Sequence, residues 1–126
     1  QYAKNYIRPW YKDFTKSDEF RSLSKPYQKN AKWTVNFFTE LMASYMDATP
    51  LSWDGEEVEA LVIEIIPKKS IFEKEIFEGF CPILIKFFEF LGTSEIIDED
   101  WSEELVLSLK GNEGEMLKNI KHCSIR

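Results

Sequence analysis

His122 and Cys123 stand side by side near the end of the chain. A histidine beside a thiol can support nucleophilic catalysis, the imidazole taking the proton and the thiolate attacking. Neighbours on a helix point about 100° apart, however, and do not face one another. His122 is also the only histidine, so no second imidazole supplies the base. The pair reads as a surface histidine next to a half-buried cysteine near a chain end.

Carboxylates are the next candidates. Glu56, Glu57, Glu59 and Glu64 fall in one apolar-periodic segment and Glu73, Glu75 and Glu78 in the next. Carboxylate metal sites in bundles draw on facing helices and add Glu-x-x-His pairs, and no such pair occurs. Two cysteines, Cys81 and Cys123, are too few for a structural zinc site. GNEGEM lacks the strand before it and the Lys-Ser/Thr after it that a phosphate-cradling loop requires. No metal, cofactor or catalytic residue is assigned. An enzyme working through paired carboxylates needs no motif and stands as one alternative, marked by an enclosed pocket of acids with shifted pKa values.

The remaining pattern is a row of cations. In QYAKNYIRPWYKDFTK, Lys4, Arg8, Lys12 and Lys16 recur every four residues beside Tyr2, Tyr6, Trp10 and Phe14. Stripes offset by two residues lie about 200° apart on a helix, so the aromatics turn into the domain while the cations face out. Residues 1–33 carry eight Lys/Arg against three Asp/Glu, +5, and the remainder eight against nineteen, −11, matching the net −6. Arg21, Lys25, Lys29 and Lys32 extend the basic third, and Lys68-Lys69 forms a separate dibasic turn. The candidate docking surface is Lys4, Arg8, Lys12, Lys16, Lys68 and Lys69. An acidic protein partner is one occupant. Nucleic acid is the alternative, disfavoured by net charge because such binding releases counterions from phosphates onto Lys and Arg.

The elements that carry these residues are helical. Spacing predicts a helix over about 2–15 that either kinks at Pro9 or begins its regular part there, then Ser17 capping a short helix through Phe20 and Leu23. Ser24 with Pro26 starts a long helix over about 26–46, which 47–50 ends. Asp54 caps a helix whose Val58, Leu61, Val62, Ile65 and Ile66 form its buried stripe, and Pro67 ends it. Ser70 is expected to cap a helix over 71–91 closed by Gly92, with Pro82 making it one kinked helix or two. Its apolar residues cover more than one face, so it is expected at the centre. Asp98 is expected to cap the last helix, with Gly111 and Gly114 weakening its middle, which leaves either one helix or two. Trp53 is expected to pack over the start of the helix that follows it rather than rim a ligand.

No segment shows the two-residue alternation of a strand. The fold expected is all-α, a single bundle of five to seven helices over residues 1–126, without a sheet. Apolar residues make up 44% of the 126 and aromatics 15%, enough for one substantial core. FCPILIKFFEFLG is shorter than the ~20 residues that span a bilayer and holds Lys86 and Glu89. With two cysteines in apolar settings, a cytoplasmic protein without a disulfide framework is expected. Dimerisation through an exposed aromatic patch is compatible with the composition.

One family pattern is visible. WTVNFFTEL (33–41), PLSW (50–53), EEVEAL (56–61), IPKKS (66–70) and CPILIKFFEFL (81–91) together resemble a helical domain of uncharacterised prokaryotic proteins, some of which also carry an SEC-C zinc-binding motif. The resemblance spans roughly Trp33 to Leu91. It implies an all-α accessory or interaction module and supplies no site residues. The cysteine-rich SEC-C tail is absent, so zinc binding does not carry over.

Overall fold

The computed structural model describes the backbone over residues 2–69 and 74–124, and side chains over 5–69 and 76–120. The helices are α1 (Tyr2–Phe14), α2 (Asp18–Arg21), α3 (Lys25–Met46), α4 (Gly55–Ala60), α5 (Lys74–Thr93) and α6 (Glu99–Ser124). No strand occurs among the described residues, and the fold is all-α.

Local chemistry explains most of the boundaries. Ser17 and Ser24 accept from the backbone N–H of Phe20 and Tyr27, the third residue of each helix. Asp47 stops α3 in the left-handed region at φ 50°, and its N–H returns to the Met42 carbonyl. Asp54 accepts from Glu57 N–H at 2.8 Å while Glu57 accepts from Asp54 N–H at 3.2 Å, a reciprocal capping box. Asp98 Oδ2 accepts from Asp100 N–H at the start of α6. The expected cap at Ser70 lies outside the described residues.

Two prolines shape the interior. After Ala60, α4 widens into a π-helical turn over Leu61–Ile65 and then tightens to a 3₁₀ turn over Ile66–Lys68. In regular helical register, residue 67 would donate to the Ile63 carbonyl, and Pro67 has no N–H. Asn119 of α6 supplies the missing donor, its Nδ2 lying 3.1 Å from Ile63 O. The same logic applies to α5, which runs through Pro82 as one helix. Pro82 frees the Glu78 carbonyl, and the Tyr27 hydroxyl of α3 approaches it at 3.5 Å. Gly79 leaves room for that approach, since a Cβ there would sit a tight 3.0 Å from the Tyr27 ring.

One sequence expectation is corrected and one open alternative is decided. Gly92 does not cap α5. It lies within the helix at a close crossing, where a Cβ would sit 2.5 Å from Ser102 of α6. The Ser102 hydroxyl donates to the Phe88 carbonyl at 2.8 Å in the same crossing, and the left-handed residue after the helix is Glu95, φ 60°. Gly111 and Gly114 do not split α6, which continues through both. The cost of glycine in a helix is about 1 kcal/mol each, and the face that α6 packs against α5 outweighs it.

As expected, α5 is central: its neighbours Phe87 and Phe88 are both fully buried and point toward different partners. Phe87 meets Phe14 of α1 edge-on at 5.2 Å, and Phe14 meets Phe20 of α2 at 5.3 Å. Phe88 joins Phe38 of α3 and Trp53, which pack edge to face at 4.9 Å. These tilted contacts match the ring quadrupoles and contribute beyond area burial. Trp53 is 1% exposed, so it packs in the core against Phe38 and Phe88 and does not rim a ligand.

One side of α6 clasps the entry to α4. Trp101 Nε1 donates to Trp53 O at 2.6 Å, Glu104 Oε2 accepts from Gly55 N–H at 2.7 Å, and Ser108 Oγ donates to Gly55 O at 2.7 Å. Residues at i, i+3 and i+7 share a helix face, which lets one helix serve three backbone groups in a row.

Candidate functional site

The first helix divides its faces much as its spacing requires, with a shift. Ile7 and Phe14 are buried, whereas Tyr6, Trp10 and Tyr11 are half-buried and Arg8, Lys12 and Lys16 are exposed. The centre of the buried face is therefore the Ile7–Tyr11–Phe14 line rather than the tyrosine-tryptophan stripe. Tyr11 stands beside Phe14 edge to face, and burial raises its phenol above the ordinary value, so the ring stays neutral. Lys4 falls among residues whose side chains are not described.

Packing α1 on α3 opens a groove of about 400 Å³ lined by Ile7, Arg8, Tyr11 and Lys12 from one side and Lys32, Asn36 and Glu40 from the other. Lys25, Lys29, Lys32 and Asn36 follow at helical spacing on α3, and the three lysines are exposed. Three cations thus converge on one depression from two helices, with one carboxylate, Glu40, at its margin. Among the described residues neither Arg8, Lys12 nor Lys32 is in an ion pair. An apolar and aromatic floor beneath exposed cations suits an acidic chain carrying an occasional apolar side chain.

The structure brings together only part of the predicted surface. Arg8 and Lys12 share the groove, and Lys16 continues the row along α1. Lys69 is half-buried elsewhere: its Nζ donates to the Tyr45 hydroxyl at 2.7 Å and lies 4.9 Å from that ring's centroid. Along α3, Tyr45 is about 20 Å from Lys32 at the helical rise. Lys69 therefore closes the end of α3 instead of joining the groove, and Lys68 stays exposed beside it. Asn36 was not among the predicted residues, although its spacing from Lys32 and Lys29 places it with them.

The catalytic alternatives find little material. Cys81 is buried, 3.9 Å from Met116 Sδ, and burial followed by nearby Glu113 pushes its thiol far up, so no thiolate forms near neutral pH. Burial raises the Glu113 carboxyl, and burial with adjacent Asp54 raises Glu57. Glu57 is the partner in the capping box, and neither acid lines the groove. Among the described residues no three His, Cys, Asp or Glu side chains group as a metal site. The side chains of His122 and Cys123 lie outside the described set.

A second, larger groove was not foreseen. It runs beside the α5–α6 turn and takes residues from α2, α5, the turn and α6. Among the described residues no helix is long and apolar enough to cross a membrane. Comparison with protein-family models, curated proteins and solved structures finds no match for the chain.

Proposed function

We propose that this chain is a non-enzymatic interaction module of the cytoplasm that docks an acidic segment of a protein partner in the groove between α1 and α3. The observation that carries the reading is the convergence of Arg8, Lys12 and Lys32 from two helices over the Ile7–Tyr11 floor. Charge there is set against an otherwise acidic protein of net −6, so an acidic partner is steered to this face and repelled elsewhere. The resemblance of residues 33–91 to a helical accessory domain agrees with such a role, and a buried free thiol at Cys81 suits a reducing compartment.

Nucleic acid remains the second reading because Trp33, 39% exposed and stacked on Phe37 at 4.7 Å, presents an aromatic face on the helix that carries Lys32. A fluorescence-anisotropy titration separates the two. A labelled Glu-rich peptide with interspersed leucines and a labelled single-stranded oligonucleotide are titrated against the protein and its Arg8→Glu/Lys12→Glu/Lys32→Glu variant. The proposal expects the peptide to bind and the triple variant to lose it. Tight oligonucleotide binding with a steep salt dependence, and no peptide binding, would overturn it in favour of the nucleic-acid reading.

A further inference from the structure

The groove beside the α5–α6 turn is an open depression of about 1160 Å³. Its long wall is one face of α6: Glu99, Ser102, Glu103, Val106, Leu107 and Lys110, at intervals of three and four. At the helical rise that wall extends about 16 Å, three turns. Ile96 and Ile97 of the turn continue the apolar floor, and Leu107 is 59% exposed along it. Carboxylates surround that floor. Glu19 of α2, Glu89 of α5, Glu95 and Asp98 of the turn, and Glu99 and Glu103 of α6 all line it, against Lys110 as the single cation among the described residues. Glu89 also pairs with Lys86 at 3.3 Å, which leaves the other rim acids to set the field.

We infer that this groove docks an amphipathic helix of a partner whose apolar stripe is flanked by Lys and Arg. The wall on α6 matches a helix laid alongside it, with apolar anchors at i, i+3 and i+4 meeting half-buried Ile96 and exposed Leu107 above buried Val106. The acidic rim meets the flanking cations on both sides, which fixes register and repels acidic segments. The α1 helix of a second copy does not have this chemistry. Its cations are exposed, but Ile7 and Phe14, its apolar anchors, are buried in its own core. The site is separate from the α1–α3 groove and of opposite charge, so the inference does not depend on that reading.

The test uses a labelled Leu/Lys peptide of about 14 residues, patterned as an amphipathic helix, titrated at about 50 mM and 300 mM salt. Three variants are compared with the unaltered protein: Glu99→Lys/Glu103→Lys in the groove, Glu59→Lys/Glu115→Lys with the same charge change on exposed residues outside it, and Leu107→Ser. The groove pair is expected to weaken binding by about tenfold or more, the control pair by less than about twofold, and Leu107→Ser by about fivefold. Equal losses in the two charge-reversal pairs would mean general attraction to an acidic protein and overturn the inference. Absence of binding at low salt would do the same. Sedimentation of the protein alone adds the last outcome: a homodimer dispersed by the groove pair would make a second copy the occupant and refute the assignment.

Discussion

Substituting Asn119→Ala removes the donor that α6 lends to the Ile63 carbonyl at 3.1 Å. Because Pro67 cannot donate in its place, the carbonyl loses its protein partner in a turn already widened to π geometry. An unsatisfied buried acceptor costs about 1–3 kcal/mol, and Asn119 is only half-buried, so water recovers part of that and about 1 kcal/mol is expected. For a chain of this size the loss corresponds to a fall in Tm of about 3–5 °C. The sharper assay is a double-mutant cycle with Pro67→Ala. An alanine at 67 restores an N–H and lets the segment return to regular helical register, in which residue 67 donates to the same carbonyl, so Asn119→Ala should cost at least about 0.5 kcal/mol less in that background. Chemical denaturation of the four proteins gives the coupling directly. An equal cost in both backgrounds would show that Asn119 stabilises α6 for some other reason and that the proline-orphaned carbonyl is not what it serves.

Gly92→Ala should destabilise although alanine is the better helix former, because its Cβ would lie 2.5 Å from Ser102 and force α5 and α6 apart. A loss of about 1–3 kcal/mol in thermal denaturation is expected, largely relieved when Ser102→Gly is added; a stabilised single variant would refute the close crossing. Burial holds the folded Glu113 carboxyl above its ordinary value of 4.5, so the folded state binds its proton more tightly than the unfolded state. Stability present at and below pH 4.5 is therefore lost as pH rises through the raised folded value. Glu113→Gln should accordingly be more stable than the unaltered protein at pH 7, with the difference vanishing below about pH 4.5; denaturation midpoints that differ equally at pH 4 and pH 7 would contradict this.

Helix existence and most starts were legible because they depend on neighbours in sequence. Ser17, Ser24, Asp54 and Asp98 sit where their side chains reach backbone N–H groups two or three residues on, and no distant contact is needed to place them. The outward turn of Arg8, Lys12 and Lys16 is equally local, since the helical repeat decides it. Even the centrality of α5 followed from apolar residues on more than one of its faces.

What the sequence by itself determined, then, is an all-α chain with a basic, outward-facing first helix and an aromatic interior. The tertiary structure alone decided which surfaces meet. Lys32 joined Arg8 and Lys12, while Lys69 turned aside to Tyr45, because the packing of α1 across α3 sets that pairing and helical periodicity carries no information about it. The acidic groove combines Glu19, Glu89, Glu95 and Glu103 from four parts of the chain, so no linear spacing announces it. Gly92, Pro67 and Pro82 belong to the same class. Whether glycine ends a helix or permits a crossing, and whether a freed carbonyl is orphaned or served by Asn119 or Tyr27, depends on which neighbour lies within a few ångströms. Only the folded arrangement sets those distances.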